Sequence, residues 1–450
     1  MLRNGCVLTL DPALGNHRQA DVLIEGSKIK AVAPNIQVGD AYIIDATDTI
    51  VMPGFVDTHR HIWEGILRNI APDALLDDYF RDILGVLAPV YRPQDAYAGN
   101  LVSAYGAIDA GITTLLDWSH IQNTPEHTDA SIAALQESGL RSVFAYGTPN
   151  LDLGAWWHNS SLKHPTDILR VAKQYFPGKD GLITLALAPR GPEFTTPEVS
   201  KHDWDLARQV GCRISVHVGV GEAGKHGRLG EMGRAGLLGP DTTYIHCCTL
   251  SDDELQMIAD TGGTVSLASP IELQMGHGTP PIQRCLDRGL RPSLSVDVET
   301  TMCGDLFAQM RSVLTLQRGQ VNERRLRGET DLPKMLTSRD VIEFATIEGA
   351  RANGLDSLVG TLTPGKEADI IMLRTDSINV MPMNNAPGTV VTMMDTSNVD
   401  TVFIAGNLMK RGGKLIGVDL RKIRQSVEAS RDGVLSRAGY RKNPFGSCCT

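Results

Sequence analysis

Short apolar runs recur along the chain, and the spacing between them changes character twice. In the first fifty residues only turns separate them. Ala20-Asp21-Val22-Leu23-Ile24, Lys28-Ile29-Lys30-Ala31-Val32 and Tyr42-Ile43-Ile44-Asp45 read as short strands, with Gly26 placed for a hairpin between the first two. The same style returns near the other end, in Ala368-Asp369-Ile370-Ile371-Met372-Leu373, Thr401-Val402-Phe403-Ile404-Ala405 and Lys414-Leu415-Ile416. Two lone β fragments would each leave a sheet face bare, so they are expected to pack together as one small sandwich.

Between these fragments, apolar runs alternate with helical patterns, the rhythm of a parallel sheet with crossover helices. Eight runs fit. The first four are Ile50 through Val56, Ile112-Thr113-Thr114-Leu115-Leu116, Ser142 through Tyr146, and Leu182 through Leu187. The second four are Ile214-Ser215-Val216, Thr243-Tyr244-Ile245, Thr264-Val265-Ser266-Leu267 and Pro292 through Val296. Helices are predicted over 126–138, 166–176, 197–210, 252–261 and 281–288, with Gly139, Gly211, Gly262 and Gly289 where they should stop. Eight such repeats predict an α/β fold, a (β/α)8 TIM-like barrel. The expected domains are 1–52 with 365–417 as the composite β-sandwich, 53–364 as the metal-binding barrel, and 418–450 as a C-terminal helix and tail.

Chemistry enters just past the strands. In order come His59 and His61, Asp117 and His120, Tyr146, Arg190, His217, His246, Glu272 and Asp297. In a barrel the strand C-termini all meet on one face, where active sites sit. Residues i and i+2 of a strand point to one side, so His59 and His61 aim two imidazoles at one point. His217, His246 and Asp297 end the fifth, sixth and eighth strands. Three imidazole nitrogens with a carboxylate oxygen suit Zn2+ or a similar first-row ion, leaving a position for water.

Composition narrows the classes. The 450 residues, 42% hydrophobic, suffice for one barrel plus a small accessory domain. With 43 Lys+Arg against 52 Asp+Glu, the net charge is −9, and no basic run interleaves with aromatics, so nucleic acid is not an expected partner. No run approaches the roughly 18 apolar residues of a membrane span, and the start shows no secretory pattern. A cytoplasmic enzyme acting on a small molecule, with no membrane partner, is expected. The eight cysteines include the doublets Cys247-Cys248 and Cys448-Cys449 and form no spaced metal pairs, so reduced thiols are expected.

The segment Val51-Met52-Pro53-Gly54-Phe55-Val56-Asp57-Thr58-His59-Arg60-His61 resembles the strand-one signature of the amidohydrolase superfamily. Gly111-Ile112-Thr113-Thr114, Val216-His217-Val218, Ile245-His246, Val296-Asp297 and Gly365-Lys366-Glu367-Ala368-Asp369 extend the likeness over almost the whole chain, closest to the cytosine deaminase and chlorohydrolase branch. The resemblance implies that His59, His61, His217 and Asp297 bind one divalent metal, zinc first and iron second. It also implies that His246 meets the hydrolytic water or the substrate, and that the protein forms homodimers or larger homo-oligomers. No lysine ends the fourth strand, which implies a mononuclear site. Deaminases of this branch carry a proton-shuttling glutamate three residues after the strand-five histidine; here the run is His217-Val218-Gly219-Val220.

The expected reaction is therefore metal-assisted hydrolysis of a C–N or similar bond in a small cyclic or amide-like molecule. Asp297 would serve as the base and His246 as the orienting group. The acid would be Glu272, then Glu222, then Asp297 itself. Arg190, His120 and Trp63 are the expected substrate contacts, with 68–91 as a lid. Each has a plainer alternative: a loop cap for Glu272, a rim ion pair for Arg190, a shaping role for His120. His277, flanked by glycines, reads as a surface histidine. Because Val220 cannot move a proton, a lyase, cyclase or isomerase on the same metal barrel stays open beside hydrolysis, as does a metal-free homologue.

Overall fold

A computed structural model describes residues 1–178 and 181–442. The N-terminal fragment supplies β1 (Leu2–Leu8), β2 (Asn16–Glu25), β3 (Lys28–Ala33), β4 (Ile44–Asp45) and β5 (Thr49–Pro53). The barrel follows with β6 (Phe55–Arg60), β7 (Ile112–Ser119), β8 (Arg141–Tyr146), β9 (Ile183–Leu187), β10 (Arg213–Val218), β11 (Thr242–His246), β12 (Thr264–Leu267) and β13 (Ser293–Leu294). The C-terminal fragment adds β14 (Ile370–Arg374), β15 (Val399–Ile404), β16 (Asn407–Arg411) and β17 (Lys414–Leu415). The helix Leu420–Ala438 ends the described part. The tail beyond 442, with Cys448 and Cys449, lies outside the described residues, where six free cysteines are found.

The two terminal fragments meet edge to edge. Antiparallel pairing of β5 with β14 joins them into one nine-stranded mixed sheet, apart from the barrel. Period-2 alternation decides what each face covers. Val51, Ile370, Met372 and Phe403 join a core built with Leu2, Val22 and Ile29, while Ile50, Met52, Ile371 and Val402 face the main barrel core. Gly54 makes the passage from β5 into β6, and no side chain fits there. A Cβ at that point would lie 2.1 Å from the Thr113 side chain. The charged end of the C-terminal motif clamps the two parts, Asp369 accepting from Arg141 Nε at 2.9 Å and Nη2 at 3.0 Å.

The eight barrel strands run parallel in chain order, β6 to β13. All eight residues of β7 are buried, as expected of a strand covered on both sides. Closure comes at the mouth rather than along the short last strand. His61 N–H donates to the Asp297 carbonyl at 2.9 Å, and Asp297 N–H donates to the His59 carbonyl at 3.0 Å. Deeper in, Thr58 Oγ1 meets Ser266 Oγ at 2.7 Å and Ser293 Oγ at 2.9 Å, which satisfies these buried hydroxyls across the seam. Two outer helices, Pro125–Ser138 and Pro197–Val210, stop at Gly139 and Gly211 in the left-handed conformation, φ 67° and 76°. Among the described residues, no helix is long and apolar enough to cross a membrane.

Candidate metal centre and pocket

The closing bonds sew the first and last strands together at His59, His61 and Asp297, so the backbone fixes their spacing. Both Asp297 and His246 hold left-handed backbone, φ 70° and 71°, which costs a residue with a Cβ on the order of 1–3 kcal/mol. The barrel bonds to either side enforce it. The strained turns swing both side chains inward over the barrel axis.

Four donor atoms converge there. His59 Nε2 lies 3.0 Å from Asp297 Oδ1, His61 Nε2 lies 3.5 Å from the same oxygen, and His217 Nε2 lies 3.2 Å from His59 Nε2. A tetrahedral ion with bonds of about 2.0–2.1 Å places neighbouring donors roughly 3.3 Å apart. The spacing fits a small divalent cation. His59, His61 and His217 form one group of mutually close ligand atoms, and His59, His246 and Asp297 form another that shares His59. His61 is aimed by its other nitrogen, Nδ1, which bonds the Trp118 carbonyl at 2.8 Å. The set of imidazole nitrogens with one carboxylate oxygen is the chemistry of first-row ions.

Electrostatics agree. Burial pulls the His61 imidazole down to about 3, helped by the neighbouring His59, so the ring is neutral. For Asp297, burial alone would raise the carboxyl, but the His59 hydrogen bond and the surrounding imidazoles hold it well below the usual range. For His246, burial works downward and is outweighed by the Glu272 hydrogen bond and the Asp297 charge, which raise it.

His246 stands beside the cluster, Nε2 3.8 Å from Asp297 Oδ2 and Nδ1 3.1 Å from Glu272 Oε1. Glu272 also accepts the Ala268 N–H at 2.8 Å. It is fully buried behind His246 and is not among the residues that line the cavity. Glu222 is exposed and paired with Lys225 at 2.7 Å, well outside.

The other expected contacts divide. His120 lines the cavity. Trp63 does not: it is fully buried beneath, donating Nε1–H to His120 Nδ1 at 3.0 Å. Arg190, expected as a clamp, turns away from the cavity. Its guanidinium donates to the carbonyls of Trp156, at 2.7 Å, and Leu162, and stacks on the Trp156 ring at 4.8 Å. A strand end fixes where the backbone is, not which way a long side chain goes. The segment 68–91 contributes Leu76, Tyr79, Phe80 and Leu84 to the lining of the cavity.

Two residues of the wall were not among the expected contacts. His277 is buried in the cavity wall, its ring edge-on to His246 at 4.6 Å between centroids, because Gly221 N–H bonds its carbonyl and its own N–H bonds the Glu272 carbonyl. The surface assignment is thus corrected. Tyr79 contributes its hydroxyl to the wall from the wide helical turn Tyr79–Leu87 and donates to Glu64 Oε1 at 2.6 Å. No local pattern marks that pairing. Besides these groups the wall is apolar: Leu76, Phe80, Leu84, Trp157, Phe194, Val220, Met275 and Val298. The enclosed space is about 50 Å3, against roughly 300–1,000 Å3 for ordinary ligand pockets.

The chain matches the amidohydrolase family over residues 50–409. It is 31% identical over 440 residues to a 5'-deoxyadenosine deaminase of Methanothermobacter thermautotrophicus, covering 95% of this chain and 98% of that one. A 5-methylthioadenosine/S-adenosylhomocysteine deaminase of Moorella thermoacetica is 26% identical over 394 residues, 86% of this chain and 87% of the relative. Among solved structures, a zinc-bound adenosine deaminase from Xanthomonas campestris superposes with a TM-score of 0.83 at 20% identity, covering 97% and 98% of the two chains. A zinc complex of atrazine chlorohydrolase from Arthrobacter aurescens gives 0.82 at 21%, covering 96% and 99%. The match across barrel and terminal sheet places this chain in the amidohydrolase family.

Proposed function

We propose that the protein uses a metal-activated water to hydrolyse a carbon–nitrogen bond at an sp2 carbon of a small, flat, weakly polar nitrogen heterocycle or cyclic amide. Its family makes it a hydrolase of carbon–nitrogen bonds other than peptide bonds. The observation that carries the substrate reading is the converging donor cluster opening into a cavity walled by aromatic and aliphatic side chains. His59, His61, His217 and Asp297 are the proposed ligands, and zinc is the first candidate, as in the two structural relatives. A divalent ion so held lowers the pKa of water from about 15.7 toward 7.

The chain's own groups do the rest. With the ion bound, Asp297 Oδ2 would accept the water's proton and deliver it to the leaving nitrogen as the C–N bond breaks, and it faces His246 Nε2, which would orient the nucleophile. Glu272 holds His246 by its Nδ1 and so acts through it as a positioning residue. The apolar wall excludes bulk water and stacks a planar ring. Val220 lines the cavity, so no carboxylate stands at that position. The relatives' names point to an amino-substituted heteroaromatic ring as the first substrate type to try.

The test is turnover of 5'-deoxyadenosine, 5-methylthioadenosine, aminopurines, pterins, lactams and halotriazines in 18O-water, with and without chelator. Chelator-sensitive product carrying one labelled oxygen is expected from a heterocycle of this panel. Turnover that is indifferent to chelation, or product without label, would refute metal-assisted hydrolysis.

A further inference from the structure

The hydrogen bonds of the pocket wall have a fixed direction. An indole N–H only donates, so the Trp63 Nε1–H bond to His120 Nδ1, 3.0 Å, leaves that nitrogen without a proton. The neutral ring must then carry its proton on Nε2. Among the described residues the hydrogen-bond partner of Nε2 is Tyr79 Oη at 3.4 Å, beyond good hydrogen-bond length, and the Tyr79 proton is itself committed to Glu64 at 2.6 Å. Trp63 and Glu64 are fully buried, so neither end of the series can trade its partner for water. His120 and Tyr79 both line the cavity, and the His120 ring lies 4.1 Å, centroid to centroid, from that of the proposed ligand His61.

We propose that His120 presents a fixed Nε2–H donor to the cavity and recognises an acceptor atom, a ring nitrogen or carbonyl oxygen adjacent to the scissile carbon, with Trp63 as the positioning residue that sets its tautomer. This rests on the substrate class proposed above. A donor held this close to the metal ligands meets the acceptor beside the attacked carbon. A buried site built to donate to an acceptor rejects an analogue that lacks one, because the donor is then left unpaired. The recognised class is accordingly the imine-type or carbonyl-bearing heterocycle, and carba-analogues with C–H at that place are excluded. The His120 imidazole and Tyr79 phenol of the wall, with the Trp63 indole buried behind them, thus form a polarity filter.

The experiment has two arms. Long-range 1H–15N NMR of the metal-loaded protein reads the His120 tautomer directly. Nε2–H is expected in the wild type and a mixture in Trp63→Phe; a wild-type Nδ1–H tautomer overturns the proposal. The second arm measures binding of 5'-deoxyadenosine and its 1-deaza analogue to wild type and His120→Phe. At least 10-fold weaker binding of the deaza compound to the wild type is expected, shrinking to near parity in the variant. Equal wild-type affinities overturn the proposal. If neither compound binds, the substrate class of the preceding section fails with the acceptor-recognition claim, while the tautomer arm separately decides the donor assignment.

Discussion

Replacing Asp369 by alanine tests the clamp between barrel and terminal sheet. Arg141 opens β8, and its guanidinium is gripped by both oxygens of Asp369, at 2.9 and 3.0 Å. The two side chains are 6% and 2% exposed. Asp369 Oδ1 also accepts the Ala405 N–H at 2.8 Å. Removing one partner of a buried pair leaves the other charge stranded, typically about 3–5 kcal/mol. Glu367, 3.6 Å from Arg141, remains as a partial partner, but Lys28 already holds it at 2.5 Å. The low end, about 3 kcal/mol, is therefore expected for Asp369→Ala. In thermal unfolding followed by circular dichroism, this corresponds to a midpoint lowered by roughly 5 °C. Arg141→Met should cost a similar amount, and the double variant little more than either alone, because the stranded charge is gone. Additive losses, or a single-variant cost below about 1 kcal/mol, would refute the clamp. Chemistry at the opposite end of the barrel should survive in whatever protein remains folded.

Three further outcomes follow. Asp297→Asn should lower kcat by about 10^2–10^4-fold, together with a drop in bound metal measured by elemental analysis; undiminished turnover would remove Asp297 as base. Glu272→Ala should cost about 10–100-fold in metal affinity or activity and Glu272→Gln less, since the amide oxygen can still accept from His246 Nδ1 at the 3.1 Å position; equal losses would argue against orientation as its role. Burial raises the Glu193 carboxyl to about 7, against which the Gly219 N–H bond works. Its native pKa lies above the unfolded value, so between pH 4.5 and 7 the native state binds more protons and stability falls as pH rises, by on the order of 3 kcal/mol in all. Glu193→Gln should flatten that slope in melting curves taken from pH 5 to 8; an unchanged slope would assign the dependence elsewhere.

Much of this architecture was legible because it rests on repeating physical patterns. The alternation of apolar runs with helical segments, stopped at Gly139 and Gly211, gives the barrel order directly. The i, i+2 spacing of His59 and His61 gives their convergence, seen as rings 4.6 Å apart. What escaped depends on side-chain direction and on irregular backbone. Arg190 follows a strand yet bonds carbonyls away from the cavity. Glu272 stands at the right place but behind His246 rather than beside it. His277 looks exposed between its glycines, and only a bond from Gly221 reveals that its loop folds inward. The Glu64–Tyr79 bond crosses a wide helical turn whose geometry no hydrophobic period encodes.

X-ray absorption at the zinc edge of stoichiometrically loaded protein tests the metal site most directly. Nitrogen and oxygen neighbours are expected at about 2.0–2.1 Å, with multiple scattering from three imidazoles that falls to two in His217→Ala. A shell containing sulfur near about 2.3 Å, or an imidazole count unchanged by that substitution, would contradict that ligand set.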